Sequence, residues 1–146
     1  MVEPPGPNGV MTMKPSMPAN ILLIEDDGDL RTEILEYLLP HHHRVSACDS
    51  IVDAREFLQN LGDDSLAPDI VVSDIKLTDG DGISFYIEQA RRFPHVKWIL
   101  MSGNHDLVRL GNDYKDLSGL PGCTIVDKPI PLRLLGRVID DAERAA

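Results

Sequence analysis

The 146 residues, 42% of them hydrophobic, suffice for one compact domain with a sizeable core and leave no room for a second, DNA-binding domain. A formal net charge of −10 sets the surface against nucleic acid and anionic membrane, whose phosphates would be repelled rather than exchanged for counterions, so partners are expected to be proteins. Cys48 and Cys123 make neither a CxxC pair nor a disulfide framework. With no run near the ~18 apolar residues of a membrane span and no signal peptide, the chain reads as soluble and cytoplasmic.

Residues 1–19 hold Pro4, Pro5, Pro7, Pro15 and Pro18 with Gly6 and Gly9 and show no apolar period, so they read as a disordered tail ahead of a domain over 20–146. From Asn20 onward strand and helix signals alternate. Ile21 to Ile24 is a short β-branched run; Leu30, Ile34 and Leu38 then recur every fourth residue as an amphipathic helix that stops before Pro40. The His41-His42-His43 run reads as a polar loop, since adjacent histidines point in different directions. Arg44 to Ala47 follows as a strand on the edge side.

Ser50 or Asp53 can cap a second helix with Ala54, Phe57, Leu58 and Leu61 on its apolar stripe, stopped by Gly62. The strand Ile70 to Ser73 comes next. Gly80-Asp81-Gly82 opens a third helix with Ile83, Tyr86, Ile87 and Ala90 on one face, broken at Pro94. Trp98 to Met101 is a further strand. Between Ser102 and Thr124, Gly103, Gly111, Gly119, Pro121 and Gly122 interrupt a fourth helix, leaving Leu107, Val108, Leu110 and Tyr114 to bury, so a short or irregular helix is expected there. Thr124 to Asp127 is the last strand, and Pro131 starts a final helix with Leu132, Leu135, Val138 or Ile139, and Ala142 on its stripe. Five strands and about five helices make a doubly wound α/β domain with a parallel sheet, whose site should lie where the strands' carboxyl ends meet.

Four of those strands end in polar residues: Glu25-Asp26-Asp27, Asp74, Ser102, and Lys128-Pro129. Three clustered acids repel one another unless a cation joins them. Glu25, Asp26 and Asp74 form an open carboxylate set of the kind that holds Mg²⁺, which keeps several waters and takes few protein ligands. Lys128 would add a compact cation and Ser102 a hydroxyl. Blander readings attach to the neighbours: Asp27 as a helix N-cap, Ser102-Gly103 as a plain turn.

An acidic pair, a strand-end aspartate followed by Asp81-Gly82, a serine, and a Lys-Pro, in that order, resemble the receiver domain of two-component response regulators, with a match running from Asn20 to about Ala142. The resemblance implies the flavodoxin-like strand order 2-1-3-4-5 and Asp74 as phospho-acceptor. It implies Glu25 and Asp26 as the acidic pair, with Asp26 as direct Mg²⁺ ligand beside Asp74 and the main-chain carbonyl of Lys76. Ser102 becomes the switch hydroxyl, Lys128 the phosphoryl-contacting lysine, and Pro129 the partner of a cis bond.

It further implies a phosphoryl donor, either a sensor histidine kinase or a histidine phosphotransfer protein. A downstream protein target would be met by a face around the fourth and fifth helices, and the module would catalyse its own phosphorylation and hydrolysis without being a conventional enzyme. The chain departs from the family pattern at Thr78, where a proline is usual, so a less stiff loop is expected. It departs again at Ile125, where an aromatic usually swings inward, so output should run through Ser102 and the backbone after it. Lys76 and Asn104 flank the site mouth and bear on the lifetime of the phospho-form. Two other readings are a phosphorylation-independent adaptor and a haloacid-dehalogenase-type phosphatase. The second would need an acid where Lys76 stands and paired acids after the lysine rather than before it.

Overall fold

The computed structural model describes residues 18–41, 43–103 and 122–144. Most of the tail, His42, Asn104 and the interrupted helix expected after Ser102 lie outside the described residues. The remainder forms a five-stranded, all-parallel sheet of β1 (Asn20–Ile24), β2 (Arg44–Cys48), β3 (Ile70–Asp74), β6 (Lys97–Ser102) and β7 (Cys123–Asp127) in the order β2-β1-β3-β6-β7. Two short strands, β4 (Lys76–Leu77) and β5 (Gly80–Asp81), make a separate antiparallel ladder just beyond β3. Leaving that ladder aside, the order is the expected flavodoxin-like 2-1-3-4-5.

The alternation of side chains along each strand divides one sheet between two cores. Leu22 and Ile24 of β1, Val71 of β3, and Trp98 and Leu100 of β6 face one side, under α2 (Ile51–Gln59) and α3 (Gly82–Ala90). Ile21 and Leu23, Ile70 and Val72, and Ile99 and Met101 face the other, against Ile34 and Leu38 of α1 (Gly28–Leu38) and Leu135 and Ile139 of the last helix (Leu132–Arg144). Runs that are apolar at every position are therefore what a sheet covered on both faces requires. On the first side Trp98 is clamped by Phe85 and Tyr86, both edge-on, at centroid distances of 5.8 and 5.3 Å.

Helix starts follow their capping residues. The Asp27 carboxylate accepts from the backbone N–H of Asp29 and Leu30, and Ser50 Oγ from that of Asp53. Asp81 accepts from the N–H and hydroxyl of Ser84. A second cap on α2 comes from far along the chain: Asp79 Oδ1 and Oδ2 accept from the N–H of Ile51 and Val52, each at 3.0 Å.

Three expectations give way. In α3, Ile87 is 51% exposed while Phe85 is buried, because the helix is rotated to seat Phe85 against Trp98. Ala19, assigned to the tail, is fully buried; its N–H donates to His43 Nδ1 at 3.3 Å and its carbonyl accepts from Arg44 N–H. His43 is accordingly buried rather than part of a polar loop, with Nε2 3.9 Å from Asp140 Oδ1.

Candidate functional site

Parallel pairing brings the carboxyl ends of β1, β3 and β6 side by side, with Ile24 opposite Ser73 and Asp74 opposite Met101. The residues that follow are therefore delivered to one rim. Glu25, directly after β1, is fully buried, and Asp74, the last residue of β3, is 2% exposed. Asp26 projects at the surface beside them. Each of the three carboxylates offers an oxygen within 4.8 Å of the others.

Lys128 enters this group from the end of β7. Its Nζ donates to Asp74 Oδ1 at 2.6 Å and stands 3.6 Å from Glu25 Oε1. The acids thus have one basic neighbour, Lys128. The relief it gives is partial: one ammonium faces two buried carboxylates, and, apart from the contact between the two carboxyl groups themselves, Glu25 Oε1 and Asp74 Oδ2 are buried with no hydrogen-bond partner. Burial first, then the hydrogen bond and charge of Asp74, push the Glu25 carboxyl up to about 8, against smaller opposing effects of the Asp27 N–H and Lys128. For Lys128, burial works to lower the ammonium pKa, but the hydrogen bond and charge of Asp74, helped by Glu25 and Asp26, hold it above its ordinary value. Two orphaned carboxylate oxygens beside an exposed third acid are what a hard divalent cation would satisfy, so the donor set fits Mg²⁺.

The other predicted residues fall around this centre. Ser102 ends β6 and is buried, its hydroxyl donating to the Gly103 carbonyl at 3.0 Å while its own carbonyl accepts from Lys128 N–H at 2.7 Å. The Lys128-Pro129 bond is cis. The Lys76 side chain is exposed, and its strand pairs with Asp81 across the short ladder. Ile125 is half-buried against the Trp98 side of the core. Asp27 is the cap of α1 and its N–H donates to Glu25 Oε2 at 3.1 Å.

The segment after Asp74 is not slack. Thr78 donates to Asp26 Oδ2 from its N–H at 3.0 Å and from its hydroxyl at 2.8 Å, and the neighbouring Asp79 holds α2. Sequence reasoning marked Thr78 only as a missing proline; the gain of an N–H and a hydroxyl was the available signal.

A doubly wound sheet that gathers three carboxylates and a lysine at its carboxyl rim is the ground plan of a receiver module. The family model of the response regulator receiver domain matches residues 21–139, and the chain belongs to that family, a phospho-acceptor signalling module of two-component systems rather than a conventional enzyme. It is 33% identical over 85 residues to the sensor kinase CckA of Brucella abortus (strain 2308), a stretch that is 58% of this chain and 9% of that kinase. The solved response regulator receiver protein of Sinorhizobium medicae WSM419 superposes with a TM-score of 0.71 at 24% identity, covering 88% of this chain and 96% of that one. The signal receiver domain of an HD domain-containing protein from Pseudomonas fluorescens Pf-5 gives 0.73 at 18% identity, with 89% and 100% covered. At these identities the structural likeness is one of fold. No helix among the described residues is long and apolar enough to cross a membrane.

The raised Glu25 carboxyl has a measurable consequence. Between its ordinary 4.5 and about 8, the folded metal-free protein keeps a proton that the unfolded chain has released, so stability should fall as pH rises through that window. Other groups do not mask this. Lys128, raised in the fold, contributes fully below its ordinary 10.5; Asp79, lowered chiefly by the Ile51 N–H, and Glu88, lowered chiefly by Arg55, contribute fully once pH exceeds their ordinary 3.8 and 4.5. The melting temperature in EDTA is expected to drop from pH 6 to pH 8.5, and saturating Mg²⁺ to flatten the drop, since a bound cation favours the ionised carboxylate.

Proposed function

We propose that Asp74 accepts a phosphoryl group from the phosphohistidine of a sensor kinase or a histidine phosphotransfer protein, with Mg²⁺, and that the phospho-form signals to a protein partner. The observation that carries this reading is the state of the Asp74 carboxylate: buried at a strand end, with Oδ1 held by Lys128 and Oδ2 given no donor other than the neighbouring Glu25 carboxyl. An Asp74 oxygen attacks phosphorus, the phosphorus–nitrogen bond breaks, and the departing imidazole takes a proton; water later cleaves the acyl phosphate to return the carboxylate and inorganic phosphate.

Glu25, Asp26, Asp74 and the Lys76 main-chain carbonyl would hold Mg²⁺, which supplies neutralisation of the phosphoryl oxygens when bound. Lys128 neutralises a further oxygen and keeps Asp74 in place. Ser102, whose hydroxyl is spent on its neighbour's carbonyl, has a weak internal bond that it can exchange for a phosphoryl oxygen. That exchange gives the site two arrangements, and the partner is expected to read the difference at the carboxyl end of β6.

The test is intact mass after incubation with acetyl phosphate or phosphoramidate. A gain of about 80 Da that requires Mg²⁺ and is lost in Asp74→Asn supports the reading. An adduct that survives Asp74→Asn puts the phosphoryl group on another residue and overturns Asp74 as acceptor; no adduct at all, in a time course fast enough to outrun hydrolysis, sinks the reading and leaves a phosphorylation-independent adaptor.

A further inference from the structure

We infer that Thr78 is a positioning residue for the divalent cation: by holding Oδ2 of Asp26 with two donors it aims the other carboxylate oxygen at the cluster and ties together the two loops that carry the cation's ligands. The inference rests on the metal-binding reading of Glu25, Asp26 and Asp74 and goes beyond it, since Thr78 itself offers no ligand to that cluster.

Three observations support it. Thr78 and Asp26 lie 52 positions apart, yet the Thr78 N–H and hydroxyl both reach the same oxygen, at 3.0 and 2.8 Å. Two donors converging on one anionic oxygen are charge-assisted bonds that fix the rotation of a short carboxylate. Asp26 needs such fixing more than its neighbours do, for it is the exposed member of the cluster. Glu25 is fixed by burial and by the Asp27 N–H, and Asp74 by Lys128.

The donors themselves sit on a braced loop. The ladder between Lys76–Leu77 and Gly80–Asp81 closes it, and the Asp79 carboxylate anchors it on the first turn of α2. Force that would move Asp26 must therefore move the loop, the ladder and α2 together. A metal-ligating carboxylate whose second oxygen is hydrogen-bonded in this way binds more tightly than a free one, and loss of such outer partners typically costs 10–100-fold in affinity.

The opposite possibility is built into the same geometry: if Thr78 competed with the cation for Asp26, removing its hydroxyl would tighten binding. Calorimetric titration of the full chain with Mg²⁺ alone, at pH 8 and without phosphoryl donor, separates the two. Thr78→Val keeps shape and N–H but loses the hydroxyl, and is expected to weaken Mg²⁺ binding about tenfold. Thr78→Ser restores the hydroxyl and should return affinity to within about twofold of wild type, a rescue that a mere packing role would not give. Thr78 is exposed, so neither change disturbs the core, and matching melting curves in EDTA check this. Unchanged or tighter binding by Thr78→Val overturns the inference while leaving the metal site standing. Failure of the wild type itself to bind Mg²⁺ overturns the metal site, and the inference with it.

Discussion

Gly82→Ala is expected to lower stability by about 3 kcal/mol, at the upper end of what overpacking ordinarily costs, and the melting temperature by roughly 10 °C. A Cβ on Gly82 would drive into the Asp74 carbonyl oxygen, with Ser73 Oγ at 3.1 Å and the Asp74 carbonyl carbon at 3.2 Å. The closest of them, the Asp74 carbonyl, is main chain of a buried central strand, so no rotamer change relieves the clash. The same glycine donates its N–H to the Ile75 carbonyl at 2.6 Å, which locks the first turn of α3 against the end of β3. Relief must come from displacing α3, which is bonded through Gly82 to the Ile75 carbonyl next to Asp74, or from moving the Asp74 backbone itself, and either shift disturbs the Asp74 carboxylate. Phosphoryl uptake should therefore fall along with stability. Gly28→Ala is the control, because its Cβ would meet only Arg31 Nη2, at 3.6 Å; stability there is expected to stay level or rise by about 0.5 kcal/mol. A wild-type melt for Gly82→Ala, by circular dichroism, would show that this close approach is unimportant.

Lys128→Met should cut the rate of phosphoryl uptake from acetyl phosphate by roughly 10²–10³, the usual cost of deleting one fixed positive or polar donor from a site where negative charge gathers. The stem of methionine fills the same channel, so the loss isolates the ammonium. The change also strips Asp74 of its 2.6 Å partner and Glu25 of its nearest cation, leaving two buried carboxylates without a counter-charge. Without metal, the variant is expected to keep the Glu25 proton to a higher pH than the wild type, since Lys128 lowers that carboxyl's pKa, and to go on losing stability further on the alkaline side. Intact-mass time courses read the first effect and melts in EDTA across pH 6 to 8.5 read the second. Lys128→Arg should not restore uptake, because a planar fork does not reproduce a point charge at 2.6 Å.

Much of this protein could be read from its sequence. The runs from Ile21, Ile70 and Trp98 are short, β-branched and apolar at successive positions, which only a strand covered on both faces explains, and each ends in a polar residue. Because parallel strands place their carboxyl ends on one rim, Glu25, Asp26, Asp74, Ser102 and Lys128 could be assigned to a common site without coordinates. The caps at Asp27 and Ser50 were equally local matters of side chain and nearest backbone.

What the sequence could not supply was any pairing that depends on how the elements sit across from one another. The rotation of α3 that buries Phe85 and exposes Ile87 is fixed by the position of Trp98 on a strand, not by the helix's own period. The second cap of α2 comes from Asp79, 28 positions beyond Ile51. The burial of His43 depends on Ala19 and on Asp140 of the last helix. Asp26 is held by Thr78 because two loops separated by two successive β-α-β crossovers end within hydrogen-bond reach. Periodicity and capping are short-range consequences of backbone geometry and solvent, so a sequence by itself determines the elements and the rim on which their chemistry gathers. Register, rotation and loop closure emerge only when all the elements pack at once, and they decided which atoms of Asp74, Glu25 and Asp26 are held and which are left unpaired.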